Sequence, residues 1–243
     1  MSAGTSPVLS VVVPVRNEAD NVLPLLTEIA AALNGRFPFE IIYVDDGSTD
    51  DTYARLQAAQ GQFPMLRIVR HRRSYGQSTA IVSAVQQAEA PLIAMLDGDG
   101  QNDPADIPAM VDRWQAHPER DRLLIAGWRA NRQDTSSRRW ASRIANWVRS
   151  ALLHDHTPDS GCGSKLFPRA LFLDLPRFDH MHRFLPALVL RAGGMVESVV
   201  VNHRPRGGGV SNYTNLRRGL EGIPDLLGVM WLIRRGKVPE YLP

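Results

Sequence analysis

The stretch "MLDGDGQNDP", residues 95–104, places Asp97, Asp99, Gln101 and Asp103 within seven positions, directly after the apolar run "PLIAML". Side-chain oxygen at that density points to a hard cation, and two unlike kinds of site begin this way. A calcium loop needs oxygens at its first, third and fifth positions, glycine at the sixth and a bidentate glutamate at the twelfth. Counted from Asp97, the sixth position is Asn102 and the twelfth is Pro108, so the calcium loop fails twice. What remains is Asp-x-Asp around Gly98 at the end of a buried strand. Mg²⁺ and Mn²⁺ take such carboxylates and share their coordination with substrate phosphates. Gln101 can add an amide oxygen, and Pro104 suits the first turn of a following helix.

Working outward, the first half alternates. "LSVVVPV" (9–15), "FEIIYVDD" (39–46), "LRIVRH" (66–71) and "PLIAMLD" (91–97) read as strands. "NVLPLLTEIAAAL" (21–33), "TDDTYARLQAA" (49–59) and "QSTAIVSAVQQA" (77–88) read as helices, the second opened by Thr and Asp caps. Strands alternating with helices of this length predict an α/β domain with a mainly parallel sheet and right-handed crossovers. Ligands of such sheets bind beyond the carboxyl ends of the strands. The polar clusters "PVRNE", "DDGS" and "DGDGQ" all fall at such ends, so they can converge on one cleft. Each alone could be a capped turn; three at corresponding ends argue for a site.

The 243 residues fit one large domain, or one domain with a tail. Lys and Arg total 28 against 25 Asp and Glu, and the bases gather in the second half, which calls for an anionic partner. The single cysteine, Cys162, allows no internal disulfide and agrees with a reducing compartment. No secretory signal is recognised at the N-terminus, and no stretch approaches the roughly 20 apolar residues that span a bilayer.

With "GWR" (127–129), "RRWAS" (138–142), "DSGCGSKLF" (159–167) and "RGGGVSNY" (206–213) added, the chain resembles the family 2 glycosyltransferases. Within them it is most similar to the dolichyl-phosphate mannose synthase-like, or polyprenyl-phosphate glycosyltransferase, group. The resemblance covers roughly residues 9 to 215 and implies a GT-A nucleotide-sugar-binding domain over 1–213, with a C-terminal amphipathic tail over 214–243. It implies an inverting enzyme that moves a sugar from a nucleoside diphosphate to a polyprenyl phosphate with Mg²⁺ or Mn²⁺. It implies no nucleic-acid partner, and places the enzyme peripherally on the cytoplasmic face of a membrane.

Carried over residue by residue, Pro14, Asn17 and Glu18 border the nucleotide, and Asp45 and Asp46 read its base and ribose. Asp97, Asp99 and Gln101 hold the metal. Arg129, Arg138 and Ser142 bind the acceptor phosphate, and Arg206, with Ser211 beside it, the donor diphosphate. Arg138 and Ser142 are four apart and share a face if helical. The chain departs from many members at Asn212, where Lys is common, at Arg16, where Tyr is common, and at Ser74, where Asn is frequent. A phosphate monoester, with a second pKa of about 6, is largely ionised near neutrality and needs no base. That fits a site marked by arginines and lacking a base–nucleophile pair.

Two other classes stay open on sequence alone. A family 2 transferase with a polysaccharide or protein acceptor would need a carboxylate base, for which Asp159 is the candidate. A binding module without turnover would have little use for an intact Asp-x-Asp. His180 and His182 lack ligand-spaced neighbours and are expected in a loop over the sugar or acceptor. Cys162 is expected as a small residue in a tight turn. In the tail, Leu220, Ile223, Leu227, Met230 and Trp231 recur at helical spacing between Arg217, Arg218, Arg234, Arg235 and Lys237. That pattern fits a helix in the membrane interface or one docked on the domain.

Overall fold

The structure is a computed structural model, and it describes residues 6–130, 149–204 and 215–237. A seven-stranded sheet runs through the molecule in the order β3-β2-β1-β4-β6-β5-β7. The strands are β1 (Leu9–Val15), β2 (Phe39–Asp45), β3 (Leu66–Arg70), β4 (Leu92–Met95), β5 (Leu123–Trp128), β6 (Lys165–Pro168) and β7 (Met195–Val200). The helices are α1 (Ala19–Leu33), α2 (Thr52–Ala59), α3 (Gln77–Gln87), α4 (Ile107–Gln115), α5 (Arg169–Leu173), α6 (Leu185–Arg191) and α7 (Asn215–Arg235).

The run "LSVVVPV" is apolar throughout because β1 is covered on both faces, and every one of its residues is buried. Its side chains part by the strand's two-residue period. Leu9, Val11, Val13 and Val15 pack with Ile41 and Tyr43 of β2 under α1 and α4. Val12 packs with Ile42 and Val44 on the opposite face, under α3, α5 and α6. The helix expected at 21–33 begins two residues earlier, at Ala19. The helix expected at 49–59 begins only at Thr52; its N-cap Asp51 makes no side-chain capping bond, and Asp50 Oδ1, one residue earlier, accepts from the Thr52 backbone N–H at 3.0 Å.

The sheet is parallel from β3 through β4, with Val15 beside Asp45 and Val12 beside Met95. The ends of β1, β2 and β4 therefore open on the same edge. Beyond β4 the pattern changes. β6 is antiparallel to both β4 and β5, which brings Lys165 opposite Met95 and Ala126. β6 and β7 had no counterpart in the sequence reading. β6 is four residues long and starts on a lysine, while all six β7 residues keep some exposure, so neither carries a clean apolar run.

The cleft edge depends on close backbone approach. Gly47 has φ +67°, and a Cβ there would lie 2.5 Å from the Arg73 carbonyl carbon and 2.6 Å from the Ser74 nitrogen. Backbone cannot yield as a flexible side chain can. Gly47→Ala is therefore expected to cost about 1–3 kcal/mol or more, since it adds a left-handed strain to an overlap. Urea unfolding of the two proteins measures it, and an unchanged midpoint would contradict the packing.

Candidate active site

At the end of β1 the chain turns through Asn17, at φ +56°. Asn17 Oδ1 accepts from the Thr49 N–H at 2.8 Å, and the Asn17 N–H donates to Ser48 Oγ at 3.0 Å. The Glu18 N–H donates to Thr52 Oγ1 at 2.9 Å, and Glu18 Oε2 accepts from Asn21 Nδ2 at 2.6 Å. Asn17 and Glu18 thus knit the loops after β1 and β2 together, and Pro14 is buried just below them. Between these loops and the end of β3 lies an open cleft of about 690 Å³, lined in part by Arg16, Ser48, Thr49, Arg70, Arg72 and Arg73. So strong a concentration of guanidinium suits a polyanionic ligand.

The neighbouring carboxylates Asp45 and Asp46 play different parts. Asp45 is fully buried, and one oxygen accepts from the Ser48 N–H at 2.9 Å. The other lies 3.4 Å from Arg70 Nε without a hydrogen bond, and Arg70 itself stacks 3.9 Å over the Tyr53 ring. Asp46 is turned inward. Its two oxygens take four partners from one segment: His71 Nδ1 and Ser74 Oγ at 2.7 Å, and the Tyr75 and Gly76 N–H groups at 2.9 Å. Burial disfavours its charge, but these donors outweigh burial and hold its carboxyl below the usual range. Asp46 builds the cleft wall from residues 71–76.

At the end of β4, Gly98 packs so tightly that a Cβ would meet Val15 Cγ1 at 2.4 Å and the Pro14 carbonyl oxygen at 3.0 Å. Asp97 and Asp99 flank it. Asp97 Oδ1 accepts from Gln77 Nε2 at 2.8 Å, and Asp99 Oδ1 accepts from the Gln101 N–H at 3.1 Å. Burial and the Asp99 charge push the Asp97 carboxyl above its ordinary range, against the pull of Lys165 and Arg129. Two such carboxylates suit a divalent cation, which would relieve that crowding of negative charge. Among the described residues no three His, Cys, Asp or Glu converge as a metal cage. A cation here would complete its shell with an amide oxygen, water or ligand phosphate.

The segment after the sheet's midpoint brings in a second charge group. Arg129 follows β5 and forks onto Asp159, with Nε to Oδ2 at 2.6 Å and Nη2 to Oδ1 at 2.8 Å. The pairing keeps the guanidinium strongly charged despite burial. Arg149 donates to Asp155, and to the Thr157 carbonyl at 2.6 Å, bracing the approach to this segment. Lys165, the first residue of β6 and 2% exposed, donates to the carbonyls of Cys162 and of Ser160, the latter at 3.2 Å. Sequence reading passed over it; a lone lysine opening an apolar strand was the available signal. Gly163 presses on the Asp97 carboxylate, and a Cβ there would lie 2.0 Å from Oδ2. Cys162 is fully buried, and burial raises its thiol pKa, as befits a packing residue.

The histidines are structural links. His180 Nδ1 lies 2.8 Å from Asp225 of α7, and His182 Nδ1 lies 2.7 Å from Ser78 Oγ of α3. Arg204 forks onto Glu28 at 2.6 and 3.1 Å while its N–H donates to the Gln101 carbonyl at 3.0 Å. Arg138, Ser142, Arg206 and Ser211, and the helix expected around 138–148, lie outside the described residues.

The inward role of Asp46 has a pH signature. A carboxyl whose folded pKa is depressed adds stability above its unfolded pKa and loses it as pH falls through the folded value. Asp46→Asn should therefore be clearly destabilised at pH 7, with the gap to wild type closing below about pH 4. Urea titrations across pH check this, and a gap independent of pH would remove the charge from the argument.

Residues 10–175 match the family described as Glycosyl transferase family 2. The chain is 38% identical over 242 residues to a dodecaprenyl-phosphate galacturonate synthase of Rhizobium johnstonii, covering 96% of this chain and 69% of that protein. It is 35% identical over 214 residues to an undecaprenyl-phosphate 4-deoxy-4-formamido-L-arabinose transferase of Pseudomonas aeruginosa, covering 86% and 61%. Among solved structures it superposes on glucosyl-3-phosphoglycerate synthase from Mycobacterium tuberculosis, in complex with Mn²⁺, UDP-glucose and phosphoglyceric acid. The TM-score is 0.71 at 18% identity, over 96% of this chain and 81% of that one. A Pyrobaculum calidifontis mannosyltransferase with GDP-mannose and Mn²⁺ gives 0.65 at 21% identity, over 97% and 66%. The sheet flanked by helices is thus the GT-A-like fold of those enzymes, and the chain belongs to the family 2 glycosyltransferases.

Proposed function

We propose that this glycosyltransferase moves one sugar from a nucleoside diphosphate to a polyprenyl phosphate, with inversion at the anomeric carbon and with Mg²⁺ or Mn²⁺ at Asp97, Asp99 and Gln101. The relatives named above carry polyprenyl phosphates in their names, and the chain spans 61–69% of their lengths. The observation that carries the reading is the meeting of two charge groups at the 159–163 turn. The Asp97 carboxylate lies against Gly163, and the Arg129 fork grips Asp159 four residues earlier. A donor diphosphate and an acceptor phosphate could then approach the same few ångströms from opposite sides. The cation supplies charge for the departing diphosphate. Arg129 offers its remaining N–H groups to the acceptor, and Asp45 and the arginine-lined cleft serve the nucleotide. By the same resemblance, Pro14, Asn17 and Glu18 border the nucleotide, Arg138 and Ser142 join the acceptor site, and Arg206 and Ser211 the donor site.

Asp159 also bears on the choice of acceptor. A hydroxyl acceptor needs a base, and Asp159 is the candidate; yet both its oxygens accept from Arg129 in a buried fork. A carboxylate so engaged is a poor proton acceptor, whereas an already ionised phosphate needs none. Nucleoside-diphosphate release should depend on added polyprenyl phosphate and on the metal, and should vanish in Asp99→Ala and in EDTA. Release of equal rate with no lipid phosphate but with an oligosaccharide would favour the polysaccharide acceptor. NMR of the anomeric proton should show inversion, and retained configuration would rule out single displacement.

The membrane part of the proposal rests on α7. Among the described residues no helix is long and apolar enough to cross a bilayer. Val229 is buried on the domain, with Leu226, Met230, Leu232 and Ile233 beside it. Ile223, Leu227 and Trp231, each four apart, are 56–60% exposed on another side of the helix. Exposed Arg234, Arg235 and Lys237 follow, and Asp225, the one carboxylate between residues 222 and 237, is paired with His180. The helix has a docked side, and its other, apolar side ending in cations supports the reading that it lies on an anionic lipid surface. We take that surface to be the cytoplasmic face, where a lone free cysteine is at home. Leu227→Glu with Trp231→Ala should lose co-sedimentation with phosphatidylglycerol vesicles while the fold persists. Undiminished binding would exclude this side of α7 as the contact.

A further inference from the structure

Lys165 stands in an unfavourable place for a lysine. It lies in the middle of the sheet, between β4 and β5, opposite Met95 and Ala126. Those strands lead, two and three residues on, to Asp97 and Arg129. Burying its amine removes it from water, a cost that a methionine of similar volume would avoid. Packing alone therefore gives no reason for a lysine here. What the nitrogen does is donate to two backbone carbonyls of one turn, Ser160 and Cys162. That turn makes two contacts with the site, Asp159 on the Arg129 fork and Gly163 on Asp97.

We infer that Lys165 is a positioning residue of the transfer site. By holding the Ser160 and Cys162 carbonyls it sets the 159–163 turn, so that one backbone segment fixes the guanidinium that meets the acceptor and the carboxylate that meets the donor's cation. The inference rests on the transfer reaction proposed above. It does not require Lys165 to touch either substrate, and its effect on the acceptor passes through Asp159 and Arg129.

The test is a double-mutant cycle between Lys165→Met and Asp159→Asn, read as kcat/KM for polyprenyl phosphate in detergent micelles at saturating donor and Mn²⁺. Thermal unfolding of each variant is recorded beside it. Each single change is expected to lower kcat/KM by roughly ten- to a hundredfold, the effect of one charge-assisted contact. The double variant should lose little more than the worse single one, because both break the same support. A merely structural lysine would lower the melting temperature of Lys165→Met and leave kcat/KM below that temperature near wild type, which would overturn the inference. Fully multiplicative losses would overturn it as well. If Lys165→Met does not fold, Lys165→Gln, whose amide can donate to one carbonyl, takes its place in the cycle under the same criteria. Failure of the wild type itself to turn over with any nucleotide sugar would instead overturn the transfer reading, with Lys165 falling along with it.

Discussion

One contact constrains the whole cleft: the backbone of Gly163 against the side chain of Asp97. No side chain fits between them, since a Cβ at 163 would overlap the carboxylate. The sheet makes this approach possible. Because β6 runs antiparallel between β4 and β5, its first residue sits at the edge where β4 and β5 end, and the turn before it folds down over both. A fully parallel sheet would have placed the start of that strand at the far edge. The single reversed strand is therefore what carries the second half of the chain into the site built by the first.

Charge is arranged along the same line. Three carboxylates, Asp97, Asp99 and Asp159, stand near two cations, Arg129 and Lys165, in partly or fully buried surroundings. Buried charges persist only when paired or held by hydrogen bonds, and those here meet that demand unequally. Asp159 is satisfied by Arg129. Asp97 is held above its ordinary pKa by burial and by its neighbour Asp99. The unequal satisfaction picks out Asp97, the first carboxylate of the Asp-x-Asp, as the one whose charge is least compensated.

Legibility followed burial pattern. β1 to β4 could be read because each is a short apolar run bounded by turn residues, and Gly98 between two carboxylates marked the strand end. β6 and β7 could not, because "KLFP" is too short and β7 mixes Glu197 and Ser198 with valines in an incompletely covered strand. The site residues divide similarly. Sequence can show that Asp45 and Asp46 are adjacent, but not which partners they meet, Asp45 facing Arg70 and Asp46, just past the strand, the 71–76 loop. Nor can spacing show that Arg129 and Asp159, thirty residues apart, form a fork. For Lys165 the sequence offers only a lone lysine at the start of a short strand; what it does there is hidden, because its partners are backbone carbonyls.

The two histidines of "FDHMHRF" have a further consequence. His180 is bonded to Asp225 of α7, and His182 to Ser78, whose chain neighbour Gln77 is bonded to Asp97. α7 and Asp97 are thus joined by side chains drawn from four segments, with one or two peptide steps between the links. α7 is therefore moored to the cleft wall by side-chain hydrogen bonds as well as by its apolar side.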